Sequence, residues 1–263
     1  MIDRTHPQIY DYFDKFAEKN QALVRQYLER FPFHKSYVKK NVLDFGSGTG
    51  CLCFQIYEKC GMITGLDIDP ILYNYSQLRL SRASKSQQEK ISFLNKRIED
   101  LESSSYDLIF SKDVFEHVHD TEVLLEEMYR VLKPGGECLI GFGPLWGSPF
   151  GDHGIVRSAF GFTIPWMHLM LGKKNMVRAF NSSLLHQTKF SKQKITDLSS
   201  YLNFKTGEYF RDLIHSSKFD IIWYDENIHE NSFVNIFKKF MINGRFSKYF
   251  IRNIYCVLKK PEN

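Results

Sequence analysis

Apolar residues recur at helical spacing between positions 10 and 31, at Tyr12, Phe13, Phe16, Leu23, Val24, Tyr27, Leu28 and Phe31, and Pro32 stops the pattern. This predicts an N-terminal helix with one face packed on the rest of the chain. From position 41 the rhythm changes. Short apolar runs at 41–45, 62–66, 91–95, 106–111 and 137–142 read as strands. Helical periodicity at 52–59, 70–83 and 121–132 falls between them; Pro70 suits a first helical turn. Lys133-Pro134-Gly135-Gly136 reads as a turn after the last of these helices. Strand and helix in alternation predict an α/β fold with a doubly wound parallel sheet.

After position 142 the alternation stops. Residues 143–190 are rich in Gly, Pro, Trp, Phe, His and Met and read as an insertion with short helices. Helical spacing resumes at 192–202 and again at 229–245, and 219–224 and 249–258 read as two further strands. The expected organisation is one domain over 1–263. It divides into an N-terminal helical segment (1–37), a core (38–142), a helical lid (143–190) and a C-terminal helix with a strand pair (191–263).

Apolar residues make up 43% of the chain and charged residues 25%, enough for an ordinary core. The formal charge of +5 is small, and basic pairs such as Lys39-Lys40 and Lys173-Lys174 are scattered, so no nucleic-acid partner is expected. Five cysteines, odd in number and scattered, predict reduced thiols rather than a disulfide framework. The first ten residues lack the apolar core of a secretion signal, and no apolar run is long enough to span a bilayer. A cytoplasmic location is expected, and Asn181-Ser182-Ser183 reads as a chance glycosylation pattern.

The chemistry begins at Val42-Leu43-Asp44-Phe45-Gly46-Ser47-Gly48-Thr49-Gly50, where a first strand turns into a first helix. Glycines there allow unusual torsions and close ligand approach, and ligands of such sheets sit beyond the carboxyl ends of the strands. The spacing is Gly-x-Gly-x-Gly rather than the Gly-x-Gly-x-x-Gly of dinucleotide enzymes. Asp44 would repel a pyrophosphate but suits an ammonium group. Asp67, closing the second strand, can accept from both ribose hydroxyls. Adenosine joined to an amino acid satisfies all three features.

These residues, with Gly65-Leu66-Asp67-Ile68-Asp69-Pro70, the segment 106–113 and the turn at 132–136, resemble the class I S-adenosylmethionine-dependent methyltransferases, in their broad small-molecule group. The resemblance is close over 38–142 and looser over the C-terminal strands. It implies a Rossmann-like seven-stranded sheet with an antiparallel last strand, and S-adenosyl-L-methionine as cofactor. By position, Asp44, Gly46, Ser47 and Gly48 would hold the cofactor's amino-acid end, with Gly50 opening the helix. Asp67 would take the ribose and Ile68 the adenine face. Ile98 and Glu99 would lie at the adenine edge, and Ser111 and Lys112 beside the sulfonium. Arg97 departs from relatives that carry Asp there. It cannot accept from the adenine amino group, which leaves backbone, Glu99 or Asp100 for that contact.

Two histidine groups are candidates for the acceptor side. One is Asp113-Val114-Phe115-Glu116-His117, whose relatives in some methyltransferases ligate a divalent metal; Asp113, Glu116 and His117 would share one face of a helical turn. The preferred reading is that Glu116 and His117 brace the loop, with no metal. The other is Asp152-His153, read as an exposed, mobile element with His153 as base. Catalytic candidates are therefore His153, Asp152 and His117, whereas His168 and His186 read as structural. The aromatic, charge-poor stretch 142–171 predicts a small apolar or aromatic, even lipidic, acceptor, methylated on oxygen, or a peripheral membrane contact. Competing readings are a catalytically inactive binding or scaffold protein with the same fold, and a nicotinamide-dependent reductase.

Overall fold

Val42 and Leu43 are sequence neighbours on opposite faces of one strand, and both are buried. A strand buried on both faces belongs in the middle of a covered sheet, and that is where β1 (Tyr37–Phe45) lies. The computed structural model describes residues 7–31, 37–182, 194–228 and 249–262. Its sheet has seven strands in the order β3-β2-β1-β4-β5-β7-β6. The other strands are β2 (Cys60–Leu66), β3 (Ile91–Leu94), β4 (Tyr106–Lys112), β5 (Leu132–Phe142), β6 (Asp220–Ile228) and β7 (Ile251–Lys259). The first five run parallel, and β7 is antiparallel to both β5 and β6. The chain order reverses between β1 and β4, which opens a crevice at their carboxyl ends.

Helices α1 (Pro7–Glu29), α2 (Cys51–Ile56) and α3 (Pro70–Ser81) cover one face, where Tyr27, Leu52 and Tyr75 pack with Val42, Leu108 and Leu139. Helix α5 (Thr121–Val131) covers the other, where Leu125 and Met128 pack with Leu43, Ile109 and Ile254. All five cysteines are buried and free. The insertion carries α6 (Ile155–Phe160) and α7 (Met167–Ser182), the latter broken at Gly172. With Leu198 and Leu202 they form a third, smaller core around Val156, Met176 and Phe180. Phe160, Phe162, Ile164 and Met170 stay exposed on it.

Several expectations need correction. The turn at 133–136 is absorbed into β5 as an irregularity of its ladder, because Gly135 and Gly136 pair with the chain after β7. Residues 192–202 hold no α-helix in their described part. Asn181 bonds both backbone groups of residue Ile195, and Asp197 caps a single 3-10 turn, Leu198–Ser200. Two helices were not expected. Helix α4 (Lys85–Lys90) is polar and short, and a capping box from Ser84 and Gln87 starts it. Helix α8 (Gly207–His215) buries Phe210 and Ile214 on the α5 side. The expected helix at 229–245, His186 and the end of the lid lie outside the described residues. No helix of the described residues is long and apolar enough to cross a membrane.

Candidate functional site

The chain leaves β1 at Phe45 and turns through Gly46 to Gly50, which caps α2. Gly46 has φ 73°, and a Cβ there would stand 2.3 Å from Val114 Cγ2. Gly50 has φ 74°, and its Cβ would meet Phe93 Cζ at 2.5 Å. Torsion and space both demand glycine at these two positions. The loop is held from two sides. Gly46 and Ser47 donate to the Leu66 carbonyl at 2.9 and 3.0 Å. From α3, Ser76 Oγ donates to Gly48 O at 2.9 Å and Arg79 to Thr49 O at 2.5 Å, with the guanidinium over the Phe54 ring.

Asp44 is 3% exposed and sits beneath this loop. Among the described residues its side-chain hydrogen-bonding neighbour is the Cys53 thiol, which donates to it at 3.4 Å. Burial pushes its carboxyl up to about 7, with the nearby Asp67 adding to the rise. A buried carboxylate so poorly compensated favours a cationic ligand, as an α-ammonium or sulfonium would be. Asp67 accepts from Gly48 N at 2.8 Å and Asp69 N at 2.9 Å, which fixes its carboxylate at the end of β2. Burial also raises its carboxyl, against those two bonds. Ile68 is 73% exposed, an aliphatic side chain open to an aromatic face. The residues present therefore fit S-adenosylmethionine.

The turn after β3 departs from expectation. Ile98 points into the core, so only its backbone is available to a ligand. Arg97 donates to Glu99 at 2.6 Å, and that bond holds the Glu99 carboxyl below its ordinary range. Asp100 accepts from Arg97 N at 3.1 Å. Both carboxylates proposed for the adenine contact are thus engaged by Arg97. Arg130 of α5 secures the same turn through the carbonyls of Ile98 and Leu101.

At the end of β4, Ser111 is buried and its Oγ has no hydrogen-bond partner among the described residues. The Tyr27 hydroxyl, reaching down from α1, lies 2.6 Å from Leu139 O and 3.2 Å from Ser111 O. Lys112 pairs with Asp113, which turns away in a left-handed conformation, φ 55°. A cavity of about 490 Å3 opens here, lined by Tyr27, Arg30, Lys112, Pro144, Arg252 and Tyr255 among others. Nothing in the linear pattern marked Tyr27, Arg30 or Arg252 as lining a cavity, because three distant segments meet to form this wall.

The loop after β4 carries the histidine cluster. Residues 113–119 are not helical, so Asp113, Glu116 and His117 do not share a helical face. Instead Glu116, His117 and His153 converge, their ligand atoms all within 4.8 Å of one another. Glu116 is 3% exposed; its Oε1 accepts from Gly143 N at 3.0 Å, which is the expected bracing. Its Oε2 has no hydrogen-bond partner among the described residues. Burial and the Asp113 charge push its carboxyl up to about 8. His117 Nδ1 meets Tyr201 O at 2.5 Å and His153 Nε2 meets Pro144 O at 2.8 Å. Asp152, expected exposed and beside the base, is buried and accepts from Val156 N of α6 at 2.7 Å. His168 is buried against Trp146 O, as a structural histidine. The residue that organises the loop is Asn203. It donates to the Phe115 and Val118 carbonyls at 2.7 Å each, and its backbone to Glu116 O at 3.0 Å.

Residues 37–142 match a family model described as a methyltransferase domain. Over 114 residues the chain is 31% identical to phosphoethanolamine N-methyltransferase 2 of Caenorhabditis elegans, covering 43% of this chain and 25% of that protein. Over 107 residues it is 36% identical to arsenite methyltransferase of Mus musculus, covering 36% of this chain and 28% of that protein. The chain thus spans about a quarter of the length of these relatives. Among solved structures, Haemonchus contortus phosphoethanolamine N-methyltransferase 2 with S-adenosyl-L-methionine superposes with TM-score 0.56 at 17% identity, over 91% of this chain and 52% of that one. An S-adenosylmethionine-dependent methyltransferase from Mesorhizobium loti superposes with TM-score 0.53 at 14% identity, over 91% and 97%. The motif order, the strand order with its antiparallel β7 and the domain match converge on one similarity: residues 37–142 match a methyltransferase domain, and the fold is that of the class I S-adenosylmethionine-dependent methyltransferases.

Proposed function

We propose that this chain transfers the methyl group of S-adenosylmethionine to a small-molecule acceptor seated in the cavity between α1, the ends of β4 and β5, and the start of β7. The observation that carries the reading is the buried, under-compensated Asp44 beneath a glycine loop, a short way from an open cavity at the β4 end. When bound, the cofactor supplies an activated methyl group on a sulfonium. Asp44, Gly46, Ser47 and Gly48 would hold its amino-acid end, Asp67 the ribose and Ile68 the adenine face. The backbone of Ile98 and Glu99 would border the adenine edge, and Ser111 and Lys112 the sulfur. The protein's contribution is alignment and exclusion of water, with a base needed only if the acceptor must lose a proton. His153, supported by His117, is our candidate base, and Asp152 drops out of that role because its buried carboxylate is held by the Val156 N–H.

For the acceptor, the rings of Tyr27 and Tyr255 support an aromatic or extended apolar body, and Arg30 and Arg252 favour an anionic substituent. Oxygen is our reading for the atom methylated; nitrogen is the alternative. The expected contact with a membrane surface rests on Phe160, Phe162, Ile164 and Met170, and flotation with lipid vesicles tests it. A cytoplasmic enzyme fits this reading.

Two variants test the proposal. Asp67→Ala is expected to weaken S-adenosylmethionine binding at least tenfold by calorimetry; undiminished binding would remove the ribose assignment. His153→Ala is expected to lower turnover by about two orders of magnitude with little change in cofactor affinity. An unchanged rate refutes the base.

A further inference from the structure

The cavity at the ends of β4 and β5 carries a charge pattern that methyl transfer alone does not use. Arg30, one residue past α1, and Arg252, near the start of β7, both border it and are exposed. Among the described residues neither guanidinium makes an ion pair or a hydrogen bond. Lys112 differs: it pairs with Asp113, so those two charges cancel. Glu29 is the remaining carboxylate of the lining, and it leaves the cavity with positive charge in excess.

Packing, not ion pairing, places both arginines. Phe31 is buried edge-on to Trp223 and Tyr255 and pins the end of α1. The Arg30 guanidinium then lies over the Tyr255 ring, 5.6 Å from its centroid. Leu145 N donates to Arg252 O at 2.8 Å, and a Cβ on Gly143 would stand 2.5 Å from that carbonyl. This close approach fixes the start of β7 against the exit of β5. Beneath, the rings of Tyr255 and Tyr27 crowd Gly141, where a Cβ would stand 2.6 and 2.8 Å from them. Burial raises the Tyr255 hydroxyl above its ordinary range, Asp113 adds to the rise, and Arg30 and Arg252 oppose it. The phenol therefore stays protonated, a third donor beside the two guanidinium groups.

We infer, resting on the methyl-transfer reading, that the acceptor carries an oxyanion, a carboxylate or a phosphate, held by Arg30 and Arg252 with the Tyr255 hydroxyl. A guanidinium presents a planar fork of N–H donors that matches the paired oxygens of either group. Lys112 and Asp113 border the same cavity at the β4 end, where the sulfonium is proposed. Holding the oxyanion thus fixes the orientation of the acceptor toward the methyl group, and alignment is what this reaction needs from the protein. The cofactor has a carboxylate of its own, so the test must separate the two.

The full chain, saturated with S-adenosylhomocysteine, is titrated by calorimetry with benzoate, phenyl phosphate and neutral benzamide. Low ionic strength is used because salt screens exposed charges. One oxyanion is expected to bind at least about tenfold more tightly than benzamide, and the tighter of the two identifies the group. Arg30→Gln and Arg252→Gln are each expected to weaken that binding about 10- to 100-fold, with S-adenosylhomocysteine affinity unchanged. Arg252→Lys is expected to fall between, since it keeps the charge and loses the fork. Lys174→Gln, an exposed cation outside the cavity, is expected to change nothing. Benzamide binding as tightly as both oxyanions overturns the inference, as do arginine variants that bind the oxyanion like the parent. So does an oxyanion that binds only without S-adenosylhomocysteine, because the arginines would then serve the cofactor's carboxylate. A protein that binds S-adenosylhomocysteine but no oxyanion sinks this inference alone; one that binds neither sinks the methyl-transfer reading as well.

Discussion

Asp44 shows how one buried residue would set the pH response of the proposed cofactor site. Its carboxyl stands at about 7 in the ligand-free protein, raised chiefly by burial. The unfolded chain releases this proton near pH 4, whereas the folded chain keeps it until about 7. Between those values the folded state binds more protons, so stability falls as pH rises and the loss is complete above 7. A bound cation reverses the balance by favouring the carboxylate. Cofactor affinity is therefore expected to fall by up to about tenfold per pH unit below 7, measured by calorimetry across pH 5.5–8. Asp44→Asn is expected to abolish this dependence, to weaken binding and to raise the melting temperature of the ligand-free protein at pH 8. A melting temperature that drops would show that Asp44 stabilises the fold by itself. At this scale the placement of Asp44, the glycines and Asp67 was legible in the sequence, because they lie at strand ends whose patterns are local. Ile98 was not, because only the tertiary structure shows its side chain turning inward beneath the Arg130 clamp.

Elements that bury an alternating or helical face declared themselves, and those held by single polar contacts did not. Strands β1 to β4 were legible from apolar runs bounded by glycine, aspartate and asparagine. Helix α4 has no buried residue, so its only signal was the Ser84–Gln87 capping box. The loop 113–119 looked helical by its Asp-x-x-Glu-His spacing, yet Asn203 pulls the carbonyls of Phe115 and Val118 outward into an open turn. That partner lies more than 80 positions away, beyond any local pattern. Asn203→Ala removes both side-chain bonds to the loop. A loss of roughly 2–3 kcal/mol is expected, measured from the urea midpoint at constant slope.

The whole molecule couples these parts through its crevice. A ligand that binds only the folded state stabilises it by about 2.7 kcal/mol at one hundred times its dissociation constant. For a chain of this size that is a rise of roughly 5–10 °C in melting temperature. S-adenosylhomocysteine is expected to produce it and a nicotinamide cofactor is not. No shift with S-adenosylhomocysteine or S-adenosylmethionine would favour the inactive-scaffold reading.

Strand β7 follows β6 in sequence, yet it lies between β5 and β6, pairing Cys256 with both Ile140 and Tyr224. The order of synthesis thus runs against the order of assembly. Until residues 251–259 are made, β5 keeps one open edge, with Leu139 and Ile140 in its middle, and β6 has no partner among the described strands. Open apolar edges pair readily with other chains, and long-range strand pairing is slow. A ribosome-bound chain therefore completes its cofactor loop well before it can close its sheet. Chains stopped before residue 251 are expected to aggregate rather than persist as a smaller methyltransferase.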